Sequence, residues 1–217
     1  NNSSLLLKYV DHSSNAIGNG VNETVITLKD DKYPVTVKLH YVAYGKENII
    51  RTFTEISHEE KKPVILCKYA SSMLHLNSSK YFLTEFSGDW AHEANVTERE
   101  LAFGKKVIDT KLGARANMFV SPFFQLALDN PSQENAGEVL VGTIGWTGNF
   151  RFTFEVDNKN ELRIISGINP YDSEYSLPAK EVFRTPDFYF TYSTQGKGEA
   201  SRSFHDWARN HQVKNGN

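Results

Sequence analysis

The sequence predicts an all-β fold that ends in one helix. In FRFTFEV (150–156), apolar residues alternate with polar ones, which is the pattern of a strand with one buried face. Similar runs recur along the chain between turn-prone segments such as DNKN (157–160). The period changes only near the end, where Ala200, Phe204 and Trp207 begin an apolar stripe at helical spacing.

Taken in order, the remaining segments divide into strands and loops. The apolar runs predict strands at Leu5–Val10, Val21–Leu28, Val35–Tyr44, Ile49–Ile56, Val64–Leu76, Tyr81–Phe86, Val96–Lys106, Phe123–Leu128, Val182–Phe183 and Asp187–Thr194. Polar, glycine-containing or proline-containing stretches predict loops at His12–Gly20, Ser87–Asn95, Asp129–Gly137 and Gly167–Leu177.

The segment 137–165 is the centre of this prediction. Residues 139–146, 150–156 and 162–164 form three strand candidates joined by the short turns TGN and DNKN. Turns of this length join neighbouring antiparallel strands. We therefore expect a three-stranded antiparallel meander, in which the first strand is apolar on both faces.

Composition excludes several classes of function. The formal charge of −2 offers no basic field, so the sequence predicts neither nucleic-acid nor anionic-membrane binding. No apolar run approaches the roughly 20 residues that a membrane-spanning helix needs. With 14 Phe, 10 Tyr and 3 Trp, the 217 residues supply ample core for one large domain.

Few residues suggest chemistry. The seven histidines stand singly, so we expect surface or hydrogen-bonded roles, no metal site and no cofactor. Asp89, His92 and Glu93 form the densest ionisable cluster, which could serve as acid, base and orienting group but is also typical of a solvated turn. The single cysteine, Cys67, lies in an apolar context that predicts an inert core thiol.

Tryptophan provides the remaining signal, because its face suits stacking on a sugar ring. Trp90 (SGDWAHE) fits either the core or an exposed platform. We expect Trp146 to belong to the core, since it lies within the meander, and Trp207 to pack from the helix.

Several long blocks, in order, resemble the N-terminal domain of the family 36 glycoside hydrolases, the α-galactosidases. The blocks are SGDWAHEANVTEREL, GARANMFVSPFFQLAL, GEVLVGTIGWTGNFRFTFE, GINPYDSEYSLPAKEVFRTPDFYFTYSTQGKG and SRSFHDWARNH. The likeness covers about residues 34–214 and is most specific over 85–211.

The resemblance implies a β-supersandwich, two large antiparallel sheets face to face as in galactose mutarotase, with a C-terminal linking helix. It implies residues 1–197 as the sandwich, truncated at its N-terminal end, and 198–217 as a helix toward a missing (β/α)8 barrel. In the family, that barrel carries both catalytic Asp residues and releases terminal α-linked galactose with retention, which needs two carboxyls about 5–5.5 Å apart. No catalytic residue of this chain corresponds to them.

The front of the chain departs from the family. The first thirty residues match poorly and lack a Gly-Arg-Gly-Asp-like segment, and the chain starts NNSSLLL without Met. We therefore expect a piece cut at both ends, whose compartment the sequence does not indicate. A missing front would leave sheet edges unpaired, which favours dimerisation or aggregation.

The resemblance implies an accessory domain that supports the barrel, shapes the pocket rim and contributes to oligomer contacts, with α-galactosides as substrates of the intact enzyme. Within this chain we predict Trp90, flanked by Asp89 and His92, as the rim loop. The isolated fragment is expected to be inactive.

Two alternatives remain open. A stand-alone carbohydrate-binding module would recognise galactosides by itself, and we expect no affinity tighter than millimolar. An aldose mutarotase would need a paired His and Glu in an exposed sheet concavity, which the scattered histidines do not suggest.

Overall fold

The computed structural model describes residues 5–116 and 118–214, apart from the side chain of residue 114. Sixteen strands and one helix are found there. In chain order they are β1 (Leu7–Gly18), β2 (Val21–Asp30), β3 (Val35–Tyr44), β4 (Ile49–His58), β5 (Val64–Leu66), β6 (Ser72–Asn77), β7 (Tyr81–Ser87), β8 (Asn95–Glu100), β9 (Gly104–Asp109), β10 (Val120–Leu128), β11 (Glu138–Gly145), β12 (Phe150–Val156), β13 (Glu161–Ile168), β14 (Tyr175–Leu177), β15 (Val182–Arg184), β16 (Asp187–Ser193) and α1 (Gly196–His211). A 3₁₀ turn covers Gly113–Arg115.

All the strands named above pair antiparallel, in two facing sheets and a small ribbon. The ten-stranded sheet has the order β1-β2-β3-β4-β16-β11-β10-β7-β8, with β15 paired to the end of β4. The four-stranded sheet has the order β6-β13-β12-β9, and β5 pairs with β14 separately. The all-β sandwich with a terminal helix is therefore confirmed.

The main core lies between the two facing sheets. Phe150, Phe152, Phe154 and Val156 of β12 are at most 3% exposed, as their alternation predicts. They contact Phe124 and its neighbours on β10, β11 and β16 of the larger sheet. Apolar burial on this scale is the main force that holds such sandwiches together.

The helix covers the opposite face of the large sheet. Ala200 packs with Val139 and Val141 of β11, and Trp207 packs on Tyr44 and Tyr189. Both Ala200 and Trp207 are buried, so the predicted stripe and the packing role of Trp207 are confirmed.

The predicted meander is wrong in one respect. β12 and β13 form the expected hairpin, but β11 pairs with β10 and β16 in the other sheet. The segment 146–149 is therefore a crossover between sheets. The physical reason is visible in β11 itself, whose two apolar faces contact the core on one side and the helix on the other.

Two predicted strands are each split between sheets. Val64–Leu76 becomes β5 and β6, because Ser71 N–H donates to Ser166 O and starts β6 on a different partner. Val96–Lys106 becomes β8 and β9, since Leu101 turns inward and is buried and Gly104 takes φ +122°.

The predicted loop His12–Gly20 is mostly strand. Residues Leu7–Gly18 pair with β2 along their whole length, with shifts of register after Tyr9 and after Ala16. The predicted strand Leu5–Val10 is therefore the beginning of a longer one, β1. From His12 to Gly18 every residue is exposed, and no apolar alternation marks this part in the sequence. The predicted loop Gly167–Leu177 also contains a strand, β14. It spans only three residues, which is too short for an alternating pattern to be visible in the sequence.

The core interpretation of Cys67 is also wrong. Its side chain is exposed in the segment after β5, because the chain leaves the ribbon there.

Candidate functional site

One end of the sandwich gathers loops from both sheets. Register places Ser87 beside Val120 in the large sheet, and Asp109 and Ile168 beside the start of β12 in the small one. The connections that leave these strand ends are 88–94, 110–116 with 118–119, 146–149 and 169–174. We call these segments the loop-end surface.

The predicted rim residues lie on this surface in a tight turn. The main chains of Asp89 and His92 exchange two hydrogen bonds, of 3.2 and 3.0 Å. Asp89 Oδ1 accepts from the Trp90 N–H at 2.7 Å, and Asn95 Nδ2 donates to His92 O at 2.8 Å. The Asp89 carboxylate therefore holds the backbone, as an Asp in a turn does.

Trp90 is 87% exposed, which excludes a place in the core of the described domain. The turn that carries it is fixed at its base, where Gly88 N–H donates to Phe119 O at 2.9 Å. Ala91 and Ala94 take φ near +60°, which presents the ring on a constrained rather than an extended loop. The backbone of the turn is thus fixed, and the indole that it carries is open to solvent.

Trp146 is 41% exposed, so the prediction that it belongs to the core is wrong. It stands on the crossover between sheets and not inside a meander, and Gly148 leaves room beside its ring: a Cβ there would lie 2.7 Å from Trp146 Nε1. Other exposed apolar side chains occur on the same loop-end surface. They are Leu112, Met118, Phe119 and Tyr171.

Asn169 ties three of these loops together, a role that the sequence analysis missed. Its side chain is fully buried and donates to Thr110 O at 2.9 Å and Asp109 Oδ2 at 3.2 Å. It also accepts from Tyr171 N–H at 3.1 Å, while Asn169 N–H donates to Asn149 O at 3.0 Å. The only signal in the sequence is the Asn-Pro pair, which marks a turn but not a buried amide.

Charged side chains also stabilise the loops that Asn169 ties together. Arg151 donates to Asp109 Oδ2 through Nη2 at 2.8 Å and through Nε at 3.2 Å. Lys111 Nζ lies 4.7 Å from the centroid of the Tyr171 ring, within the range of a cation–π contact. The exposed aromatic and apolar side chains of the loop-end surface are therefore carried by loops that hydrogen bonds and ion pairs hold in place.

His40, which stands alone in the sequence, is brought close to two glutamates by the fold, in line with the expected hydrogen-bonded role. His40 Nδ1 lies 3.0 Å from Glu23 Oε1, and Nε2 lies 3.3 Å from Glu55 Oε2. Phe53 stacks on the imidazole with centroids 4.3 Å apart, and the side chain of His40 is 11% exposed. Because the ring is so enclosed, this trio does not match the exposed sheet concavity that a mutarotase would need.

Among the described residues, no group of three or more His, Cys, Asp or Glu side chains is placed to hold a metal ion. Within the same residues, no helix has the length and apolarity to cross a membrane.

Comparisons with known proteins agree on one family. The family described as "Glycosyl hydrolase family 36 N-terminal domain" matches residues 2–178. The match begins well before residue 34, so the expectation that the first thirty residues depart from the family is wrong. The match therefore includes the exposed first hairpin.

Curated relatives and solved structures extend this result. Alpha-galactosidase AgaA of Geobacillus stearothermophilus is 30% identical over 93% of this chain, and Alpha-galactosidase 2 of Hypocrea jecorina is 28% identical over 89%. The crystal structure of AgaA superposes with a TM-score of 0.89 at 26% identity, over 97% of this chain and 31% of that one.

The chain spans only about a quarter of the length of these curated relatives, 27% of AgaA and 26% of the Hypocrea jecorina protein. The family match covers most of the chain, and the fold agrees with that of AgaA. The chain belongs to the N-terminal domain family of the family 36 glycosyl hydrolases.

Proposed function

We propose that this chain is the accessory N-terminal domain of an α-galactosidase and is catalytically inert by itself. The observation that carries the proposal is the combination of a family match over residues 2–178 with coverage of only 27% of AgaA. The domain resembles the front of enzymes that are much longer.

The resemblance to the family assigns hydrolysis to a following (β/α)8 barrel. Its two Asp side chains would act as nucleophile and as acid/base, on either side of the scissile bond. The substrate class would be α-galactosides, in line with structures of AgaA variants in complex with stachyose and with raffinose. In this division of labour, residues 1–197 are the sandwich and 198–217 the link to the barrel.

The helix is suited to a structural role in that link. Its first turn is anchored, because Lys197 and Gly198 N–H donate to Gln133 and Glu134 O at 2.9 and 3.0 Å. Its last turn is anchored where Asn210 Nδ2 donates to Glu47 Oε1 at 2.9 Å. A helix held at both ends transmits a fixed orientation to whatever follows it.

Trp90, with Asp89 and His92, is our candidate for the loop that reaches the rim of the barrel pocket. The support is its 87% exposure together with the fixed turn beneath it. An aromatic face held in water in this way suits stacking on the apolar side of a sugar ring.

Oligomer contacts are a further part of the proposed role. β1 borders the large sheet, and its outer edge has no strand partner among the described residues. An exposed edge of twelve residues is a template for pairing with another chain. We expect a second copy of this chain to pair along the edge of β1 and so form a dimer. Size-exclusion chromatography of a Ser13→Pro variant tests this, because a proline in the edge strand should convert the dimer to a monomer.

The experiment that tests the proposal as a whole is to determine the coding sequence that follows Asn217. A barrel with Asp residues at the carboxyl ends of its strands supports the assignment. A different kind of domain, or none, would remove its basis.

A further inference from the structure

A groove of about 500 Å³ lies on the outer face of the large sheet, between the helix and edge strand β8. Thr84 and Gln125 form its floor, and Glu98 projects from β8. Ser132 belongs to the loop before β11, and Lys197 and Ser201 belong to the first two turns of the helix. This volume is within the usual range for small-molecule sites.

The wall of the groove is built around Glu98. Its Oε2 accepts three hydrogen bonds, from Thr84 Oγ1 at 3.1 Å, Ser132 N–H at 3.1 Å and Ser132 Oγ at 2.5 Å. Within the part of the chain that the structure describes, no donor reaches Glu98 Oε1. One oxygen therefore fixes the carboxylate, and the other stays available to a ligand.

The loop of Ser132, Gln133 and Glu134, which forms the opposite wall, is also held in place. Besides the two backbone bonds that tie Gln133 and Glu134 to the helix, Gly198 makes room for the Glu134 side chain, since a Cβ there would lie 2.6 Å from Glu134 Oε1. A loop braced on one side by Glu98 and on the other by the helix is already in position before any ligand arrives. Such preorganisation lowers the cost of binding.

The chemistry of the lining narrows the class of ligand. Two carboxylates and one ammonium leave a slight negative excess, which disfavours phosphates and carboxylates. Hydroxyl, amide and carboxylate groups line one part, and Phe86 and Val96 supply an apolar part. A neutral sugar matches this combination, because its hydroxyls both donate and accept hydrogen bonds and its ring has apolar C–H faces.

We propose that the groove binds one ring of a neutral sugar. Glu98 Oε1 and the Gln125 amide would bond its hydroxyls, and Phe86 would contact its C–H face.

The test is an NMR titration of the ¹⁵N-labelled chain with methyl α-D-galactopyranoside and methyl α-D-glucopyranoside. Saturable shifts are expected at the Gln125 side chain and at the amides of Ser132 and Lys197, with a Kd in the millimolar range. Ser201→Tyr fills the groove from an exposed helix position and should weaken binding at least about tenfold. Arg202→Tyr, on the next exposed residue of the helix, should change Kd by less than about twofold.

A second pair of variants separates the carboxylate from overall charge. Glu98→Gln should weaken binding about tenfold, whereas Glu100→Gln, two residues along the same strand, should leave it unchanged. The proposal is overturned if neither glycoside gives saturable shifts, if Ser201→Tyr binds as well as the parent chain, or if choline or inorganic phosphate binds there and the glycosides do not.

Discussion

The ring of Phe124 meets the ring of Phe154 edge to face, with centroids 4.9 Å apart and planes at 88°. Phe124 belongs to the large sheet and Phe154 to the small one, so this pair joins the two layers. Phe188 stacks beside Phe124 at 6.3 Å, and Gly142 lies under both rings. The close approach depends on the absence of a side chain at Gly142.

Gly142→Ala should therefore destabilise the domain. The new Cβ would lie 2.6 Å from Phe124 Cζ and 2.8 Å from Phe188 Cζ, inside buried rings that have little freedom to move. Overpacking of this kind costs about 1–3 kcal/mol in the free energy of unfolding. Urea denaturation measures it, with Gly18→Ala as the control, where the added Cβ would meet nothing nearer than 3.6 Å. Equal stability of the two variants would contradict this account of the core.

Asn169→Ala should loosen the loop-end surface. The substitution leaves Thr110 O without its 2.9 Å partner and removes bonds to Asp109 and to Tyr171 N–H. Loss of a buried hydrogen-bonding group costs about 1–3 kcal/mol. Hydrogen exchange should accelerate in 110–116 and 169–174 and stay unchanged in β2 and β3. Uniform acceleration, or none, would show that Asn169 does not organise these loops.

Acid should release the last turn of the helix. Burial works to raise the pKa of Glu47, but hydrogen bonds from Asn210 and His211 and the charge of His211 outweigh it, so the pKa lies below its ordinary value of 4.5. Because the folded pKa is depressed, the stabilisation is present above the unfolded value and is lost as pH falls through the folded one.

The measurement for Glu47 is the fluorescence of Trp207 as pH falls below about 4.5, in a Trp90→Phe, Trp146→Phe background. Trp207 packs on Tyr44 and Tyr189 and reports whether the helix stays docked. Glu47→Gln should weaken docking at neutral pH and flatten this acid transition. An unchanged transition in that variant would assign it to other carboxylates.

Trp90→Ala should leave the stability of this chain within about 0.5 kcal/mol, because the ring is 87% exposed. In the longer enzyme that we propose, loss of the proposed stacking contact should raise KM or change the preferred substrate length, at a cost of roughly 1–3 kcal/mol. Val182→Ala, another exposed apolar position, serves as the control. An unaltered kcat/KM in Trp90→Ala would remove Trp90 from the rim.

Sequence reasoning was strongest where one strand face is buried. The alternation over 150–156 fixes which side chains of β12 enter the core, because period 2 is a property of the backbone. It failed for β11, since a strand that is apolar on both faces has no preferred side and short turns alone suggested a local meander. β11 lies in the large sheet because the helix covers the face of β11 that points away from the main core.

The parts of the site that could not be predicted depend on long-range contacts. The apolar run Leu5–Val10 predicts the start of β1, but the exposed residues from His12 to Gly18 show no apolar pattern, and their strand character comes from pairing with β2. Asn169 bonds with groups about sixty positions earlier in the chain, which no local motif encodes. The exposure of Trp146 likewise follows from its place on the crossover between sheets, and that of Trp90 from its place in the turn between β7 and β8.

The most direct measurement of the central claim is hydrolysis of p-nitrophenyl α-D-galactopyranoside by purified Asn1–Asn217 alone and by the proposed longer polypeptide. The account predicts no turnover above background for the isolated domain and turnover for the longer chain. Turnover by residues 1–217 alone, abolished by a substitution within them, would contradict it.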